Sequence, residues 1–194
     1  MVRLATLFNA RCRVSVLACA IASAVLGVEL SLTNQSASAI DVNLLNCPGT
    51  QSTSFSPGLS LTPQQTTFKA VGSVSPCVSV GDPTINAGTF EATGTGLFSC
   101  LLNSTAPYSI TYKWNNGKSS TVRYEFFTNV RGVGQTVFTG SGTVLSGEYV
   151  GARAVQTLTL ITPEATGCVT PQGATSNSGV VTLTFIGPLN LLQK

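Results

Sequence analysis

Between residues 108 and 127 the sequence YSITYKWNNGKSSTVRYEFF leaves little choice of secondary structure. Tyr108, Ile110, Tyr112 and Trp114 alternate with Ser109, Thr111 and Lys113; Val122, Tyr124 and Phe126 alternate with Thr121, Arg123 and Glu125. A period of two places one set on a buried face and the other in water, which describes a strand and not a helix. Asn116-Gly117 is a hairpin signal, because both residues tolerate positive φ. A two-residue loop would set Ile110 opposite Arg123 and Tyr112 opposite Thr121, mixing the faces. A three-residue loop over 116–118 sets Tyr112 opposite Val122 and Ile110 opposite Tyr124. That register is expected, since a one-residue slip sends every side chain to the other face.

The same logic runs along the chain. Strands are expected at 51–55, 67–74, 84–100, 135–139, 143–145, 149–150, 154–161 and 180–186. Turns are expected at Cys47-Pro48-Gly49-Thr50, Gly81-Asp82-Pro83, Gly132-Val133-Gly134, Gly140-Ser141-Gly142 and Ser146-Gly147. Gly94 and Gly96 suggest a bulge or bend in the 84–100 segment. Two loops stand out, SPGLSLTPQQ at 56–65 and the segment 163–173 that carries Cys168. No helical period of useful length occurs beyond residue 39. Eight to ten short strands with closely spaced turns imply a single all-β domain, expected as an antiparallel β-sandwich, with a closed β-barrel as the alternative.

Residues 1–39 read as an export signal. Arg3, Arg11 and Arg13 form a basic start, residues 14–28 are apolar, and Ala37-Ser38-Ala39 is an A-x-A cleavage site. The apolar run of about 15 residues is short against the ~20 a membrane span needs, which weighs against a retained anchor. Five residues separate Cys19 from Arg13, which weighs against a lipoprotein signal. The expectation is a secreted domain over 40–194. Within it lie Cys47, Cys77, Cys100 and Cys168, an even number in an exported chain, implying two disulfides. Three connectivities are possible. If 50–55 and 67–74 pair as a hairpin, Cys47 comes near Cys77, which favours Cys47–Cys77 with Cys100–Cys168.

Several function classes recede on composition. From Ile40 onward, seven Lys and Arg face six Asp and Glu, so no basic surface for nucleic acid or anionic membrane is expected. The chain has no His, which removes Ser-His-Asp and Cys-His chemistry. Wide Cys spacing without His also argues against zinc. Asp41, Asp82, Glu91, Glu125, Glu148 and Glu164 are scattered, with nothing to pair two of them across a cleft as a glycosidase requires. No catalytic residue, metal or cofactor is expected, and the protein reads as a non-enzyme. Asn103-Ser104-Thr105 matches a glycosylation sequon.

Recognition is the remaining class. Trp114, the only Trp, sits beside the hairpin turn, and with Tyr112 and Asn115 it could present a platform for extracellular or cell-wall glycan. The opposing reading makes the alternating aromatics core residues. A second hypothesis is a protein–protein module, an inhibitor of an exported hydrolase or a structural cell-surface protein, presenting SPGLSLTPQQ or the Cys168 loop.

Ser56-Pro57-Gly58-Leu59, Ser99-Cys100, Trp114-Asn115-Asn116-Gly117 with Ser119-Ser120, Gly142-Thr143-Val144 with Ser146-Gly147 and Gly151, and Cys168 with Gly173 together resemble a family of small secreted proteins of actinobacteria. The resemblance spans most of the chain beyond the signal. It implies secretion, an all-β fold and disulfides, and transfers no activity and no catalytic residue.

Overall fold

The computed structural model describes residues 40–101, 107–132, 135–161 and 167–192. The expected export signal and the sequon at Asn103 lie outside the described residues. Nine strands carry the domain: β1 (Asp41–Leu59), β2 (Gln64–Val74), β3 (Val78–Ser79), β4 (Gly88–Phe98), β5 (Tyr108–Trp114), β6 (Ser119–Gly132), β7 (Gln135–Gly147), β8 (Arg153–Ile161) and β9 (Ala174–Pro188). Short 3-10 turns follow at Gly167–Val169 and Leu189–Leu192.

The chain is all-β, and its sheet closes on itself. Going round, β1 pairs with β2, β2 with β4, then β5, β6, β7, β8 and β9 follow in turn, and β9 pairs back onto β1. Every pairing is antiparallel. β3 adds a short ninth strand against Leu45 and Asn46 of β1. The sandwich is therefore not what forms; the barrel is. β1 explains why: residues from Gly49 to Ser54 are bonded to β2 on one side and to β9 on the other, so neither edge stays open.

β1 runs straight through the segment expected to turn at Cys47-Pro48-Gly49-Thr50. In a strand, a residue's nitrogen and carbonyl face the same neighbour. The Pro48 carbonyl accepts from Ser75 N at 2.7 Å, and the β1–β2 ladder begins only at Gly49 opposite Val74. The missing N–H thus points beyond the end of β2 and costs the ladder nothing. Gly140-Ser141-Gly142 likewise continues β7 and is not a turn. A Cβ on Gly142 would lie 1.9 Å from the Arg123 carbonyl, so glycine permits close approach of β6 beside the register shift between Tyr124 and Phe126. Gly94 and Gly96 do not bulge β4 against β2. Gly94 instead makes room for the Phe68 ring, which a Cβ there would meet at 2.6 Å. Residues 149–150 form a turn, with Tyr149 at φ 62°.

The hairpin slides by two residues and keeps its predicted faces as far as Tyr124; the register shift between Tyr124 and Phe126 turns Phe126, expected inward, out to solvent at 71% exposure and sets Phe127 against the core instead. Ile110 pairs with Val122 and Tyr112 with Ser120, around a loop of residues 115–117. Gly117, at φ +83°, takes the last loop position, as a type I turn with a glycine bulge demands.

The two ends of the barrel differ. At one end, Tyr112, Trp114, Tyr124, Val144, Leu183 and Phe185 fill the bore, joined by Ile85 and Cys77 from the β2–β4 connection. Cys47–Cys77 fastens that connection to β1, the pairing that the hairpin register favours. Outside this plug, Asp82 takes hydrogen bonds from Thr84, Asn116 and Lys118, and Lys118 also reaches Glu148 at 3.4 Å. The Thr84 hydroxyl, the Lys118 ammonium and the Thr84 backbone N–H hold the Asp82 carboxyl down at about 2, against an ordinary 3.8. A folded-state value below the unfolded one stabilises the fold above pH ~4 and loses that contribution as pH falls toward 2. Asp82→Asn is therefore expected to lower the denaturant midpoint at pH 6, and the gap from the wild type should close at pH 2. An equal gap at both values would show that the carboxylate charge does not matter there.

Candidate functional site

The other end of the barrel is hollow. Inward positions there carry small side chains, with Ala70 on β2, Ala92 and Gly94 on β4, and Gly140 on β7, where the plugged half has Tyr and Trp. An eight-stranded barrel has an interior that side chains can just fill, so small residues at these positions leave space. The result is a cavity of about 640 Å³, within the range of small-molecule sites. Phe55, Phe68, Phe98, Tyr108, Phe127 and Phe138 give its wall an aromatic part. Phe68 meets Phe98 and Tyr108 edge-on, and Tyr108 stacks on Phe127 at 5.3 Å, so this part of the wall is ordered. Among the described residues, no side chain lining the cavity is charged.

Its floor is polar. The Tyr112 hydroxyl donates to Gln156 Oε1 at 3.0 Å, Gln156 Nε2 donates to Gln51 Oε1 at 3.1 Å, and Gln51 Nε2 donates to Thr53 Oγ1 at 3.1 Å. Tyr112 has one proton, already given to Gln156, so Tyr124 is the donor in the 2.7 Å contact between the two hydroxyls. The bonds therefore run one way, from Tyr124 to Thr53, and each polarises the next. Burial raises both phenols well above their ordinary value, which keeps this chain neutral. Beside its end, Asn177 Oδ1 is buried and has no hydrogen-bond partner among the described residues.

The rim is built from the connections at this end. Cys100 follows β4 and Cys168 precedes β9, and the two connections lie on opposite sides of the ring. The Cys100–Cys168 disulfide thus ties the rim across its width, and both cysteines line the cavity. The SPGLSLTPQQ segment joins the same rim, where Cys100 N donates to the Ser60 carbonyl at 2.8 Å. Both loops considered for protein contact therefore sit at the mouth; residues 163–166 of the second lie outside the described residues.

The residues expected to form a glycan platform are elsewhere. Trp114 is 4% exposed and Tyr112 0%. Trp114 stacks on Tyr112, meets Phe185 edge-on, and donates from Nε1 to Ser120 Oγ at 3.0 Å. An aromatic platform on the surface is thus corrected to core: alternation places the Trp indole and the Tyr ring on the inward face of a closed barrel. Asn115 points outward, but its Oδ1 accepts from Asn86 N and Ala87 N and its Nδ2 donates to the Thr84 carbonyl. These bonds commit it to holding the β2–β4 connection over the plug.

The cavity residues went unread in the sequence, although a signal exists. Gln156 shares the inward parity of Ala154, Leu158 and Leu160, and Gln51 shares that of Cys47 and Phe55. A polar residue on an apolar parity marks an interior hydrogen bond. Among the described residues there is no cluster of His, Cys, Asp or Glu suited to a metal ion. No family model matches this chain, and neither a curated protein nor a solved structure is found to be similar to it.

Proposed function

We propose that this protein is a secreted, non-enzymatic carrier that holds a small, mostly apolar molecule inside the barrel. The observation behind the reading is the 640 Å³ uncharged cavity, walled in part by aromatic rings, floored by a one-way hydrogen-bond chain and bordered by a disulfide-tied rim. Such sites are concave, largely apolar, and carry a few placed polar groups. Two disulfides suit an oxidising compartment, which accords with export. The outer face is rich in Thr, Ser and charged residues, such as Lys69, Glu91, Thr111 and Arg123, all exposed. A membrane barrel carries the reverse pattern, apolar outside and polar within. Among the described residues, no helix is long and apolar enough to cross a membrane.

The neutral fluorophore N-phenyl-1-naphthylamine tests this. Its emission is expected to rise on titration into the folded protein and to saturate at one molecule per barrel. Ala92→Phe directs a ring into the space and is expected to weaken binding by about tenfold or more, with the thermal midpoint unchanged or raised. No saturable binding, or equal binding by the variant, would refute an interior site.

A further inference from the structure

We infer that the cavity prefers a neutral hydrocarbon carrying one hydroxyl, bound with that hydroxyl between Thr53 and Asn177. The inference deepens the carrier reading and rests on the interior cavity being the binding site. Lining charge narrows the class first. A carboxylate or phosphate buried there would need a cation or several donors, and the described lining offers no charged side chain. A sugar would need a partner for nearly every hydroxyl, whereas the surface that the lining presents is more apolar than polar.

The floor then specifies the polar group. Thr53 and Asn177 are directly opposite on β1 and β9, so their side chains share the inward face about 5 Å apart at Cβ. Thr53 Oγ1 accepts from Gln51 Nε2 and ends the one-way chain that starts at Tyr124. No acceptor for its own proton is found among the described residues. Asn177 Oδ1 is a buried acceptor with no donor among the described residues, and both residues line the cavity. One donor and one acceptor side by side match a hydroxyl, which accepts from Thr53 and donates to Asn177. A buried polar group left unpaired is costly, so a ligand that supplies the missing donor is favoured over an isostere that cannot.

Displacement of N-phenyl-1-naphthylamine by three chains of similar size tests the inference. 1-Dodecanol can accept and donate, 1-methoxyundecane can only accept, and dodecanoate at pH 8 is charged. The alcohol is expected to displace the probe about tenfold better than either of the others. Asn177→Leu should bring the alcohol down to the ether, each competitor's affinity being calculated from the probe's own dissociation constant in that variant. Thr53→Val should weaken alcohol and ether alike, and circular dichroism should show both variants folded. Equal displacement by alcohol and ether in the wild type, or by alcohol and dodecanoate, overturns the hydroxyl assignment with the cavity site intact. Failure of the folded wild type to bind the probe overturns the cavity site itself, and the assignment with it.

Discussion

Trp114→Ala is expected to lower the free energy of unfolding by about 3–5 kcal/mol, the range for truncating a large buried aromatic. The indole packs between Tyr112 and Phe185 in the plugged half, and its N–H is bonded to Ser120 Oγ, which in turn donates to the Glu148 carbonyl. Removing it opens a void on the inward face and strips Ser120 of its donor. Gly88 underlies the same site, where an added Cβ would lie 2.6 Å from the ring, so no neighbour stands ready to fill the space. Urea unfolding followed by circular dichroism measures the loss. In the wild type, the single Trp should emit at short wavelength and resist acrylamide. A loss below about 1 kcal/mol together with ready quenching would place the ring at the surface and restore a platform there.

Breaking Cys47–Cys77 by replacing both residues with alanine is expected to cost about 3–4 kcal/mol, from the unfolded-state entropy of a crosslink with a sequence separation of 30. For a domain of this size that corresponds to a fall in melting temperature of roughly 10 °C. The bridge fixes the β2–β4 connection that carries Ile85 into the end of the barrel, so its loss also loosens the plug. Scanning calorimetry of the double variant gives the value. A shift under 2–3 °C would mean that Ile85, the Asn115 bonds and the Asp82 cluster already hold that connection without the crosslink.

How much of this molecule was legible beforehand differs from element to element. Tyr108 to Trp114 and Val122 to Tyr124 reveal their own faces, because the strand period is a local property of the backbone, whereas the register shift after Tyr124 sends Phe126 to the outside. The pairing of 50–55 with 67–74 was equally local, and with it the Cys47–Cys77 bridge, observed with Thr50 opposite Ser73 and Phe55 opposite Phe68. Local chemistry misled where a residue type has two uses. Gly140, Gly142 and Gly94 resemble turn or bulge residues, yet each relieves a tertiary contact within a continuous strand. The hairpin register moved by two because the Gly117 conformation, and not the Asn-Gly dipeptide alone, sets where the loop ends.

The candidate site was the least legible part. A period of two says that Thr53 and Gln156 face inward, but not what inward means, and Asn177 lies before the strand expected at 180–186, which in fact begins at Ala174. In a sandwich they would lie against a second sheet; in a barrel they converge on one bore. That choice rests on β1 bonding β2 and β9 at the same residues, a contact between segments more than a hundred positions apart. Sequence alone determined an all-β fold, two disulfides and the lack of histidine chemistry, because strand alternation, turn residues and residue counts are written locally. Closure, the burial of Trp114 and the hollow half with its buried Asn177 acceptor were decided by tertiary structure alone, since they depend on which strands meet and how large the side chains are that meet across the bore.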